Sequence, residues 1–163
     1  MTVTTQSLLE MLAAPMAAAA SVNVNDPAAA RAALHRQFAP EGKEGIALRH
    51  ALVEAVASGL ICNKGNEAIK YSRLCKPDAT PHDLSVDFVW MTGPGINHRH
   101  PRGEINLCFG EEGHPRFDGQ PEGWVVFPPG SAHVPTVTGG RMLIVYFLPG
   151  GAVEWITDSA AKA

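Results

Sequence analysis

Two histidines one residue apart, a glutamate four positions on and a third histidine in a later turn are the residues of this chain best suited to chemistry. They lie in Gly93-Pro94-Gly95-Ile96-Asn97-His98-Arg99-His100-Pro101-Arg102-Gly103-Glu104 and in Phe127-Pro128-Pro129-Gly130-Ser131-Ala132-His133. Strand alternation sends His98 and His100 to one face and Arg99 to the other. Glu104 shares their parity, but a Pro-Arg-Gly turn intervenes, so its direction depends on that turn. With Glu104 turned inward, two imidazoles and a carboxylate meet, and His133 can complete the set. Three nitrogens and one oxygen suit a divalent transition metal, with one or two positions left for water or substrate. The competing reading is a set of solvated strand histidines. Three of the seven histidines falling at consistent spacings between Gly and Pro punctuation favours the metal. Fe, Zn, Mn and Ni are not distinguished by this donor set.

The runs His98-x-His100-x3-Glu104 and Pro128-x-Gly130-x2-His133 resemble the two motifs of the cupin superfamily. The departures are small. Gly93 and Gly110 each stand one residue from the family's usual glycine positions, and Val137 takes the place of a frequent asparagine. Only twelve residues separate Gly110 from Gly123, which argues for a small barrel. The resemblance implies a mainly β fold: a single small cupin-type β-barrel over residues 61–163, preceded by a helical arm over 1–60.

The patterning of the chain agrees with that division. Ser7 and Glu10 have capping-box spacing ahead of Leu8, Leu9, Met11 and Leu12. Asp26-Pro27 offers an N-cap and a first-turn proline leading into Ala28–Phe38. A third helix is predicted from Lys43 to Ser58, with Leu48, Leu52 and Val56 on one stripe, Val53 joining it and Gly59 ending it. The arm thus has two or three helices. From about Glu67 onward, short alternating runs with frequent turn signals read as strands: Ala68–Cys75, Leu84–Met91, Glu104–Phe109, Trp124–Phe127, His133–Val137 and Met142–Leu148. Thr138-Gly139-Gly140-Arg141 reads as a two-residue hairpin, and Phe109-Gly110-Glu111-Glu112-Gly113 as a looser turn. There is no internal repeat, phosphate-cradling loop or nucleophile elbow.

Composition excludes several classes. A chain of 163 residues with 45% hydrophobic and 18% charged residues is ordinary for one globular domain. Thirteen basic against sixteen acidic residues, with no basic block, favour neither nucleic acid nor an anionic membrane. Cys62, Cys75 and Cys108 lack CxxC spacing and read as small buried hydrophobes in a reducing compartment. Cys108 has the parity of Glu104 and could face the same cavity. The apolar stretch Leu8–Ala20 has no Lys or Arg ahead of it and is too short to span a bilayer, so a cytoplasmic protein is expected.

Candidate substrate-binding groups are Tyr71 and Arg73 on one face of the first strand, Arg102 in the turn between ligands, Asn106 and Tyr146. Arg102 is placed to hold a carboxylate bidentately near the metal. Its alternative is a solvated turn arginine, and for Tyr71 and Arg73 the commoner reading is the outer face of their strand. Trp90 reads as core.

A closer resemblance narrows the activity. The phrase Gly95–Asn106 and the run Gly140-Arg141-Met142-Leu143-Ile144-Val145-Tyr146-Phe147, together with length and the helical arm, resemble the bacterial 4-hydroxylaminobenzoate lyases of nitrobenzoate degradation. That implies conversion of 4-hydroxylaminobenzoate, a small aromatic acid, to 3,4-dihydroxybenzoate with release of ammonia. The alanine-rich arm is expected to pack against the barrel or a second subunit, and a homodimer is expected. Substrate plus water equals product plus ammonia, so neither oxygen nor an organic cofactor is needed. A divalent ion could act as a Lewis acid or lower the pKa of a bound water towards about 7. Glu104, the candidate catalytic residue, could ligate throughout or detach and move protons. The alternatives are an Fe(II)-dependent dioxygenase on a thiol or aromatic, and a non-catalytic small-acid-binding cupin.

Overall fold

The computed structural model describes residues 2–156, so the last seven residues of the expected barrel segment lie outside the described residues. Three helices come first: α1 (Thr5–Ser21), α2 (Pro27–Gln37) and α3 (Lys43–Ala57). The capping box of α1 is formed by Thr4 and Ser7 rather than Ser7 and Glu10. Thr4 Oγ1 accepts from the Ser7 amide while Ser7 Oγ accepts from the Thr4 amide, so the helix begins earlier than the apolar run. Asp26 caps α2 with Pro27 in its first turn, as predicted. In α3, Leu48 and Leu52 are buried, but Val53 is 39% exposed and off the packed stripe. No helix of the described residues is long and apolar enough to cross a membrane.

The remainder is two antiparallel sheets. The larger contains β1 (Lys64–Gly65), β2 (Ile69–Cys75), β3 (Leu84–Pro94), β5 (Glu104–Phe117), β6 (Gly123–Phe127) and β8 (Thr136–Pro149) in the order β1-β2-β3-β8-β5-β6. The smaller pairs β7 (Ala132–His133), β4 (His98–Arg99) and β9 (Glu154–Trp155) in the order β7-β4-β9. A 3₁₀ turn (Pro77–Ala79) links β2 to β3. This is the mainly β body preceded by a helical arm that the sequence predicted.

Alternation divides the large sheet into two apolar faces. Ile105, Leu107, Phe109, Leu143, Val145 and Phe147 join Leu8, Leu12, Leu34, Leu48 and Leu52 in one buried cluster, so the helices cover that face. Cys108, Val125, Met142, Ile144 and Tyr146 point the other way, into the barrel. Trp90 packs at the margin of the helix-side cluster, with Lys70 Nζ 4.8 Å and Arg141 Cζ 4.3 Å from its ring centroid.

Two predicted turns are strand instead. β5 and β8 pair continuously through Glu112↔Arg141, Gly113↔Gly140 and Arg116↔Thr138, with irregular register around them. Gly139 and Gly140 therefore do not reverse the chain. They let two backbones approach: Gly140 has φ +154, and a Cβ there would collide with the Glu112 carbonyl oxygen. Glycine permits a tight turn and a close backbone approach alike, and the local sequence does not distinguish them.

Candidate metal centre

The small sheet sets the histidines. His98 in β4 lies directly opposite His133 in β7 and Trp155 in β9, so the three side chains share one face. His100 follows two residues after His98 and is buried. Glu104 opens β5, and the turn before it is made by Gly103 at φ +93, where a Cβ would come 2.9 Å from Val24 Cγ2. That turn directs the carboxylate inward, and its side chain is fully buried.

The four donor atoms of His98, His100, Glu104 and His133 lie within 4.8 Å of one another. Glu104 Oε2 is 3.0 Å from His133 Nε2, 3.1 Å from His100 Nε2 and 3.9 Å from His98 Nε2. Donors at right angles around an ion, each bonded at about 2.1 Å, stand about 3.0 Å apart, so two of these spacings match adjacent positions of one coordination shell. Each ring's other nitrogen has an acceptor. His98 Nδ1 lies 2.9 Å from the Ile96 carbonyl, His100 Nδ1 lies 3.2 Å from the Ala152 carbonyl, and His133 Nδ1 meets Asp118 Oδ2. A carbonyl or carboxylate can only accept, so each Nδ1 carries a proton and leaves Nε2 as the atom that would bind an ion; without one, His133 Nε2 donates to Glu104 Oε2 at 3.0 Å. Among the described residues, Nε2 of His98 and His100 and Oε1 of Glu104 are buried without a hydrogen-bond partner. Buried polar atoms rarely stay unpaired, and an ion would satisfy both imidazoles. The donor set fits a divalent transition metal.

The electrostatics agree. Burial works against the charge of Glu104, but the neighbouring His100, His133 and His98 hold its carboxyl well below the usual range. His133 is likewise opposed by burial, yet its hydrogen bonds to Asp118 and Glu104 push it up to about 9. Asp118 is the residue that sequence reasoning missed. It sits in a turn at φ +47, and its other oxygen accepts from the Thr136 amide at 2.8 Å, so one carboxylate ties His133 to the start of β8. A histidine held by a carboxylate behind it is a recurrent support for a metal ligand. Its spacing of fifteen residues from His133 carries no local signal.

A cavity of about 650 Å³ opens beside this cluster. His98, His100, Tyr146 and Trp155 contribute to its wall together with Tyr71 and Arg73 from β2. Tyr71, Arg73 and Tyr146 thus line this space. Burial keeps the Tyr146 phenol well above its ordinary range, hence neutral. Trp155, 65% exposed, stands edge-on to His98 at 5.6 Å and adds an aromatic wall that the sequence did not flag. Arg102 differs from expectation. Its Nη1 donates to Asp83 Oδ2 at 3.1 Å, the side chain is 55% exposed, and it contributes nothing to the cavity wall. The same turn that sends Glu104 inward leaves Arg102 outside, where Asp83 neutralises it. Asn106 points into the barrel with the parity of Glu104, but it is fully buried and off the cavity wall, with neither amide atom hydrogen-bonded among the described residues. Cys108 is also fully buried there, with burial pushing its thiol up.

The sequence pattern of the family described as PnbB: 4-hydroxylaminobenzoate lyase matches residues 16–155. The chain belongs to that family. A 4-hydroxylaminobenzoate lyase from Pseudomonas putida is 27% identical over 140 residues, covering 75% of this chain and 80% of its relative. One from Nocardioides sp. (strain LMS-CY) is 30% identical over 114 residues, covering 63% of this chain and 66% of the other. Among solved structures, an RmlC-like cupin protein from Ralstonia eutropha JMP134 aligns with 12% identity and a TM-score of 0.42, covering 58% of this chain and 63% of that one. The DMSP lyase DddQ from Ruegeria pomeroyi DSS-3 aligns with 19% identity and a TM-score of 0.44, covering 68% and 67%.

Proposed function

We propose that this protein is a metal-dependent lyase that converts 4-hydroxylaminobenzoate and water to 3,4-dihydroxybenzoate and ammonia. The observation that supports the reading is the cluster of three imidazoles and one carboxylate, of which His98 and His100 line a cavity of about 650 Å³, in a chain of this family. His98, His100, Glu104 and His133 hold the ion. A divalent ion there supplies Lewis acidity and a lowered pKa for bound water.

The chain's own groups do the rest. Ile69, Val89, Met91 and Leu148 line the cavity with apolar surface that takes an aromatic ring out of water. Trp155 offers the ring an aromatic face beside His98. The neutral Tyr146 phenol can donate a hydrogen bond to a polar substituent near the cluster. Glu104 Oε1 is buried and without a protein partner among the described residues, which supports Glu104 as the group that moves a proton while Oε2 stays with the histidines. Hydroxylaminobenzoate and water together hold the same atoms and electrons as dihydroxybenzoate and ammonia, so no electron acceptor enters.

The test is turnover of 4-hydroxylaminobenzoate under strict anaerobiosis, with ammonia and the catechol product both quantified. The expected result is one ammonia per dihydroxybenzoate, loss of activity with a chelator and recovery on adding a divalent ion. A requirement for oxygen, or product formed without ammonia, overturns the reading and points to a dioxygenase.

A further inference from the structure

We propose that Lys64 is the carboxylate anchor of the cavity, fixing an aromatic acid with its anionic end away from the histidine cluster. The argument begins with the fixed charges on the cavity wall. Apart from the histidines these are Lys64, Arg73 and Asp87. Arg73 is already engaged: its Nε and Nη2 donate to the two oxygens of Asp87 at 2.7 and 3.3 Å, and Ser85 Oγ donates to the same carboxylate at 3.0 Å. That pair is neutral as a unit. Lys64 belongs to no ion pair among the described residues; it is exposed, at the border between this cavity and a smaller groove beside the end of α3, so the one uncompensated positive charge on the wall is its own. The other arginines near the site are engaged elsewhere, Arg102 with Asp83 and Arg99 with Glu154.

The position of Lys64 is set by the backbone. It stands in β1 directly opposite Tyr71, so both side chains leave the same face of the pair and both reach the cavity. The adjoining hairpin is tightly specified. Gly65 has φ +100 and no room for a Cβ against the Ile69 carbonyl, and Asn66 Oδ1 accepts from the Ala68 and Ile69 amides at 2.9 and 3.2 Å. In the sheet order, β1 is four strands from β5, which carries Glu104. One cation on the wall of a largely apolar cavity that His98 and His100 also line suits a ligand with an aromatic middle and a single negative end. The Tyr71 phenol beside the ammonium is a second donor for that end. An exposed ion pair is weak in open water, but apolar walls reduce screening between the ammonium and a bound carboxylate.

This assignment rests on the lyase reading only for the identity of the natural acid, and its test is independent of turnover. Calorimetric titration of the metal-loaded protein with 4-nitrobenzoate and with 4-nitrobenzamide compares an anion with a neutral ligand of nearly the same shape. The wild type should prefer the benzoate. Lys64→Ala should cut benzoate affinity by about five- to tenfold while leaving amide affinity and metal content unchanged, and Lys64→Arg should retain the preference. Equal losses for both ligands, or an unchanged benzoate preference in Lys64→Ala, overturn the proposal. So does loss of the preference in Arg73→Gln alone. Failure of the wild type to turn over hydroxylaminobenzoate overturns the lyase reading instead and leaves this binding comparison intact.

Discussion

Replacing Asp118 is the most informative perturbation of the metal centre, because this residue touches the site only through His133. In Asp118→Ala, His133 loses the acceptor behind Nδ1 and the Thr136 amide loses its 2.8 Å partner. A hydrogen bond to a charged group contributes roughly 1.5–3 kcal/mol, and loss of such outer support typically weakens metal binding about 10- to 100-fold. The observed loss must depend on pH. Asp118 stabilises the protonated His133 ring as well as the metal-bound one, and His133 without metal is raised to about 9. Below that pH, a proton competes with the ion in the wild type, so apparent affinity climbs about tenfold per pH unit and levels off near 9. Removing Asp118 lowers the His133 pKa, which relieves proton competition at neutral pH and partly masks the lost support. Chelator-buffered titration with Zn(II) should therefore show the full weakening near pH 9 and a smaller one near pH 7. Asp118→Asn, whose amide oxygen can still accept, should fall between. A pH-independent loss, or wild-type affinity at pH 9, would refute the assignment of Asp118 as the group that orients His133.

Two further predictions address the placement of Arg102 and the long β5–β8 pairing. Arg102→Ala should leave 4-nitrobenzoate affinity within about twofold of wild type, since its partner is Asp83 outside the cavity and an exposed pair of this kind contributes roughly 0–1 kcal/mol; a tenfold loss would return it to the site. Gly140→Ala should lower the thermal midpoint by several degrees, on the order of 1–3 kcal/mol for a side chain forced into a positive φ and against a facing carbonyl. An unchanged midpoint would mean that the two strands separate at this point.

What the sequence made legible follows from the range over which its signals act. His98 and His100 share a face because strand alternation is a local rule, and β4 obeys it. Pro-Arg-Gly left the direction of Glu104 open, and the fold resolves it through Gly103 packing beside Val24 of the helical arm, seventy-nine residues earlier in the chain. Arg102, in the same turn, was misplaced for a related reason: Asp83, which takes its guanidinium, lies nineteen residues upstream and shares no pattern with it. Asp118 and Lys64 were invisible on the same grounds. Each is an ordinary charged residue in an ordinary turn or short strand until the sheet order brings Asp118 behind His133 and Lys64 to the cavity wall. The glycines at 139 and 140 show the converse, a strong local signal with two physical meanings, which only the facing strand β5 decides. A candidate metal-ligand cluster grouped on short adjoining segments is therefore readable from spacing. The groups that tune and orient them are selected by tertiary contact, and they must be found by asking where each buried nitrogen's proton goes. At His98 and His100 it goes to backbone carbonyls, which substitution cannot remove. At His133 it goes to a side chain, which makes this imidazole the one of the three that a single distant residue can orient and tune.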